Sequence, residues 1–135
     1  IGKKTHINKA VCDSSDEAHA IEKIDKHPTV EAWVKNDHLG FEIPYLFNGV
    51  PHNYRPDFLI RFQGNLNMVL EIKGRDTTQD KTKREFLDEW IQAVNADGRF
   101  GLWHWAVSTD PGNIEDKLAD AVRLLNDRIL PSKGA

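Results

Sequence analysis

The sequence lacks the features that define several large protein classes. One cysteine among 135 residues excludes an internal disulfide and is typical of a reducing compartment, so we expect a cytoplasmic protein. No apolar run reaches the ~18 residues that span a bilayer, and no signal-peptide pattern opens the chain, so a membrane is not an expected partner. Glycine-rich phosphate loops and the spacing of zinc ligands are also missing, which argues against a nucleotide-binding loop and a zinc site.

What is present is the composition of an ordinary globular protein. Hydrophobic residues make up 39% of the chain and charged residues 29%, which excludes wholesale disorder. The length suits one domain, which we expect to cover residues 1–135. Because the chain starts at Ile1 and not at a methionine, we expect it to be a processed protein or a piece excised from a longer one.

Hydrophobic periodicity predicts an α/β fold with alternating helices and strands. The predicted elements are a helix ending after His27, a short helix over 29–35, strands over 41–47, 57–62 and 67–73, a helix over 80–95, a strand over 102–108 and a helix over 113–127. The first three strands are expected to form a meander, and strand 102–108, apolar on both faces, is expected to be interior. A helix before the last strand implies a crossover, so we expect a central four-stranded mixed sheet flanked by helices.

Polar residues interrupt two of the predicted strands. Asp57 stands at the start of one apolar strand, and Glu71 and Lys73 interrupt the apolar pattern of the next strand. Side chains two positions apart on a strand share a face, about 6.5 Å apart along it. With Gly64–Asn65 as the turn between the strands, Asp57 and Glu71 should meet at the opposite end. Two carboxylates and one lysine are therefore expected to converge.

Such a cluster suits hydrolysis of a phosphodiester bond. Mg²⁺ takes oxygen ligands, usually one or two carboxylates with waters and substrate phosphates. Asp57, Glu71 and the backbone carbonyl of Ile72 could supply the ligands, and Mn²⁺ should substitute for Mg²⁺. Lys73 would orient or help deprotonate the attacking water, or stabilise the leaving charge. The alternative is a solvated Glu–x–Lys pair, which is common on strand faces.

The pair Pro56–Asp57 followed by Glu71–Ile72–Lys73 resembles the motif of the PD-(D/E)XK nuclease superfamily. Longer strings resemble the C-terminal endonuclease domain of type III restriction enzyme Res-subunit-like proteins, at positions 34–37, 39–45, 54–58 and 90–95. The resemblance implies a restriction-endonuclease-like αβββαβ core and Mg²⁺-dependent cleavage of double-stranded DNA, with Asp57, Glu71 and Lys73 as signature residues. It also implies a helicase motor in the same chain, a modification subunit and a role in restriction. The alternatives are a non-catalytic nucleic-acid-binding domain and a protein-interaction domain that retain the fold.

Two further residues become candidates through this resemblance. Glu17 prolongs the apolar stripe of the first helix, and the family carries an acidic residue near the metal on that helix, so Glu17 is the expected additional ligand. The alternative is a carboxylate that only complements the helix N-terminus. Lys83 extends the core-facing stripe of the helix over 80–95, where the family places a lysine that contacts phosphate or the transition state. The alternative is a lysine whose stem covers apolar surface.

The net charge of 18 − 21 = −3 argues at first against a nucleic-acid partner, because proteins that bind phosphate are usually basic. This argument weakens if acidic side chains are metal ligands, since one bound Mg²⁺ changes the total to −1. The net charge still predicts that the domain by itself attracts DNA only weakly. A larger protein attached to it would then hold the duplex.

Overall fold

The computed structural model describes residues 15–36, 40–73 and 76–129, which form three α-helices and six strands. The elements are α1 (Ser15–Lys26), β1 (Val30–Lys35), β2 (Ile43–Phe47), β3 (Val50–Tyr54), β4 (Phe58–Phe62), β5 (Leu66–Ile72), α2 (Thr78–Asp97), β6 (Leu102–Ser108) and α3 (Ile114–Ile129). The predicted α/β class is confirmed. None of the described helices is long and apolar enough to cross a membrane.

A four-stranded mixed sheet in the order β1-β4-β5-β6 lies at the centre, as predicted. β1, β4 and β5 pair in antiparallel fashion, and β6 runs parallel to β5. Parallel neighbours need a crossover, which α2 supplies. α1 and α3 pack on one face of the sheet, while α2 and the hairpin β2–β3 pack on the other.

The segment predicted as a short helix over 29–35 is strand β1, so that prediction was wrong. Val30, Trp33 and Val34 fit a helical stripe, but β-branched and aromatic residues also favour strands in short apolar segments. The structure pairs Trp33 with Ile60 of β4 and buries Trp33 against Phe58. Pairing along the sheet outweighs the local pattern here.

The predicted meander was also wrong, because β2 does not join the central sheet. It pairs with β3 through the turn at Asn48–Gly49, where both residues have positive φ. The turn was expected, but β3 was missed because Pro51, His52 and Asn53 do not read as a strand. Without the hairpin, the elements follow in the order α1, β1, β4, β5, α2, β6.

β6 lies at the edge of the described sheet, which contradicts its predicted interior place. Its apolarity on both faces has another cause, since α2 covers one face and α3 the other. Asn95 of α2 covers part of the open edge: its side chain accepts a hydrogen bond from the Trp103 N–H at 2.7 Å and donates one to the Trp103 carbonyl at 2.9 Å.

Candidate active site

Asp57 and Glu71 meet where β4 begins and β5 ends. The register pairs Phe58 with Leu70, and one further step sets Asp57 opposite Glu71. Their carboxyl groups share a hydrogen bond, and Asp57 Oδ2 accepts another from the Ile72 N–H at 2.8 Å. The two strands joined by the turn at Gly64–Asn65 thus bring both carboxylates together.

Strand alternation decides which backbone and side-chain groups face this site. Leu70 and Met68 point into the core under α1 and α3, so Glu71 points to the face that carries α2. The N–H and C=O of one strand residue point to the same edge. Because the Ile72 N–H bonds to Asp57, the Ile72 carbonyl also lies on the Asp57 side.

The two carboxyl groups share one proton. Burial, and then the charge of Asp57, raises the pKa of Glu71 from 4.5 to about 8. Burial also raises the pKa of Asp57, although its hydrogen bonds from Ile72 and Glu71 oppose the shift. Two like charges in a buried contact titrate as a pair. At neutral pH, without a cation, the pair therefore holds a proton, chiefly on Glu71.

Tyr54, at the end of β3, is a site residue that sequence reasoning missed. Its side chain is buried, and its hydroxyl donates a hydrogen bond to Glu71 Oε2 at 2.5 Å. Burial and the charge of Glu71 raise the pKa of the phenol, so Tyr54 stays a donor. In the sequence Tyr54 stands three residues before Asp57, but its place in the site can be inferred only once strand β3 is known.

Lys73 and Lys83 reach the same region from different elements. Their ammonium groups lie 3.2 Å and 3.6 Å, respectively, from Asp80 Oδ1 in the first turn of α2. The charge of Lys73 lowers the pKa of both Asp57 and Glu71, while Lys83 Nζ lies 5.6 Å from the centre of the Tyr54 ring.

Asp80 is the second residue that sequence reasoning missed. Burial raises its pKa, but hydrogen bonds from Thr77 and Lys73 outweigh burial and lower the pKa overall. The available signal was the capping box that Thr77 and Asp80 form at the start of α2. The i,i+3 spacing of Asp80 and Lys83 on α2 could have indicated their contact, but nothing in the sequence predicts the contact with Lys73.

Glu17 lies on α1 and forms an ion pair with Lys35 of β1, with 2.7 Å between Oε1 and Nζ. Both side chains are largely buried, and the charge of Glu17 raises the pKa of Asp57. Glu17 is therefore close enough to Asp57 to act on it electrostatically. Its role as a metal ligand stays a prediction. Lys35 was not identified from the sequence.

The donor set can be compared with what a hard divalent cation needs. No group of three histidine, cysteine, aspartate or glutamate side chains suited to a metal occurs within residues 15–36, 40–73 and 76–129. Mg²⁺ needs fewer protein ligands, typically one or two carboxylates with waters and phosphates. Asp57, Glu71 and the Ile72 carbonyl meet that need, and a cation could replace the shared proton. These residues therefore fit Mg²⁺.

Comparison with known proteins finds no counterpart: no family model, no curated protein and no solved structure matches the chain. Any assignment of function therefore rests on the residues and their geometry.

Proposed function

We propose that this chain is a Mg²⁺-dependent endonuclease domain that hydrolyses phosphodiester bonds in DNA, with a restriction-endonuclease-like core. The observation that carries the proposal is the half-buried pair Asp57–Glu71 at the junction of β4 and β5, with the charge of Lys73 beside it. Partial burial and the charge of Asp57 raise the pKa of Glu71. A carboxyl group whose pKa is raised by desolvation and by a specific charged neighbour is characteristic of functional sites.

Some residues would bind the Mg²⁺ cation directly, and others orient the residues that bind it. Asp57 and Glu71 would provide carboxylate oxygens, and Ile72 its carbonyl. A bound Mg²⁺ would lower the pKa of an attacking water and neutralise charge on the phosphate. Tyr54 orients Glu71 through the hydroxyl hydrogen bond. Since Asp57 Oδ2 accepts from the Ile72 N–H, its carboxylate plane is fixed by the backbone.

The two lysines provide positive charge on the same face of the sheet. Lys73 would orient the water, help to deprotonate it or stabilise the leaving oxygen. Lys83 lies beside Tyr54 and would contact a phosphate oxygen. Both side chains are about a quarter exposed, so a phosphodiester could reach their ammonium groups.

We further propose that the domain works within a type III restriction-like enzyme in the cytoplasm. The partners would be double-stranded DNA, a helicase motor in the same chain and a modification subunit. The resemblance of residues 34–37, 39–45, 54–58 and 90–95 supports this proposal. The net charge of −3 is consistent with a cutting domain that leaves most of the DNA binding to its partners.

The test is cleavage of supercoiled plasmid DNA in Mg²⁺ or Mn²⁺. We expect wild-type protein to nick or linearise the plasmid, and Asp57→Asn, Glu71→Gln and Lys73→Met to lose at least 100-fold in rate. Glu31→Gln, which changes an exposed carboxylate on β1, should cut like wild type. Cleavage that persists in EDTA, or in Asp57→Asn, would contradict the proposal. DNA binding without any cleavage would favour a non-catalytic nucleic-acid-binding domain.

A further inference from the structure

Asp80 is a buried carboxylate whose two oxygens have different partners. Oδ2 accepts hydrogen bonds from the Thr77 N–H at 3.1 Å and from the Thr77 hydroxyl at 2.9 Å. Oδ1 lies 3.2 Å from Lys73 Nζ and 3.6 Å from Lys83 Nζ. One side chain therefore joins the cap of α2 to Lys83 of the same helix and to Lys73, which directly follows β5.

The cap by itself does not explain this arrangement. A capping box needs one acceptor oxygen at the third helical position, and a neutral side chain can provide it. The second oxygen instead gathers two ammonium groups that would otherwise repel each other. A carboxylate between two ammonium groups offsets that repulsion, most effectively where water is partly excluded, and Asp80 is only 6% exposed.

We propose that Asp80 is a positioning residue that holds Lys73 and Lys83 towards the Asp57–Glu71 pair. The inference rests on the proposed function, because it assigns Asp80 to the same cleavage reaction. Lys73 held in this way acts electrostatically on both carboxyl groups. Lys83 held in this way lies over the Tyr54 ring, whose hydroxyl bonds to Glu71.

Two variants separate the lysine contacts from the cap. Asp80→Asn can keep an oxygen facing Thr77 but presents an amide NH₂ to the lysines. We expect kcat for plasmid cleavage to fall at least 10-fold, with KM and the Kd for Mn²⁺ within about threefold of wild type. Thr77→Ala removes the cap hydroxyl and leaves the lysine contacts. It should lower the melting temperature but keep kcat within twofold. Equal kcat in Asp80→Asn and wild type would overturn the proposal.

A second measurement does not depend on activity. A short pulse of an acetylating reagent, followed by mass spectrometry, reports how freely each lysine reacts. In Asp80→Asn we expect Lys73 and Lys83 to react several-fold faster than in wild type, with the exposed Lys81 as the internal reference. Thr77→Ala should leave their rates unchanged. Wild-type rates at both lysines in Asp80→Asn would show that Asp80 does not hold them.

The two measurements also distinguish failure of this inference from failure of the proposed function. If wild-type protein does not cut DNA, the endonuclease proposal fails, and the acetylation rates alone decide whether Asp80 holds the lysines. If wild-type protein cuts DNA and Asp80→Asn cuts equally well, only the positioning role fails. Should Asp80→Asn not fold, Asp80→Ser retains an acceptor for the cap and removes the carboxylate.

Discussion

The proton shared by Asp57 and Glu71 makes the stability of the cation-free protein depend on pH in an unusual direction. The pKa of Glu71 is about 8 in the folded protein, against 4.5 for an ordinary glutamate. Between these values the native state binds more protons than the unfolded state. The free energy of unfolding therefore falls as the pH rises from about 4.5 through 8, opposite to the effect of a carboxylate in a salt bridge.

The size of this pH dependence follows from the binding of one additional proton by each native molecule. Each pH unit changes the free energy of unfolding by up to about 1.4 kcal/mol, and the effect weakens near pH 8 as Glu71 ionises. Between pH 6 and pH 8 we expect a loss of about 2 kcal/mol from this group. The assay is urea unfolding in EDTA at several pH values, comparing wild type with Glu71→Gln.

Glu71→Gln keeps the shape of the side chain and removes the ionisable group, so the difference between the two proteins isolates the effect from histidine titration. We expect the unfolding free energy of Glu71→Gln to change by about 2 kcal/mol less than that of wild type between pH 6 and pH 8. Glu89→Gln, on the exposed side of α2, should follow the wild-type curve. Identical pH dependence in wild type and Glu71→Gln would refute the shared proton.

Two further predictions concern stability away from the carboxylate pair. Lys35→Met should destabilise the fold by roughly 1.5–3 kcal/mol in urea unfolding, because it removes the ammonium group 2.7 Å from the largely buried Glu17 carboxylate, and adding Glu17→Gln should recover part of the loss; unchanged stability in Lys35→Met would contradict a stabilising ion pair. Gly101→Ala should lower the melting temperature more than Gly64→Ala: both glycines have positive φ, but only at position 101 would a Cβ lie 2.7 Å from the Asn65 carbonyl oxygen. Equal losses would show that the backbone near Asn65 can yield.

The sequence predicts the parts of the fold where periodicity and turn chemistry agree. The last two helices and β6 lie within two residues of their predicted bounds, because long apolar stripes and a clear strand are reliable signals. It fails at β1 and β3. The short apolar segment of β1 fits a helix and a strand equally, and only pairing with β4 decides between them. β3 has no strand pattern because Pro51, His52 and Asn53 interrupt it.

For the site, residues that interrupt apolar strands could be predicted and residues that support them could not. Asp57 and Glu71 are conspicuous because a carboxylate in an apolar strand is costly unless it has partners. Tyr54, Asp80 and Lys35 are ordinary in their local sequence. Tyr54 and Lys35 matter through contacts with Glu71 and Glu17, 17 and 18 positions away, and local spacing does not report such contacts. Asp80 matters through its contact with Lys73, which lies outside α2.

The two hydrogen bonds between Asn95 and Trp103 have a consequence for assembly. An unpaired strand edge is a template on which another chain can build, and proteins protect such edges in several ways. Here the side-chain amide imitates the backbone of an additional strand for one residue, using both its donor and its acceptor. A strand that paired with β6 at Trp103 would have to displace Asn95 first, so this amide hinders edge-to-edge pairing at that position.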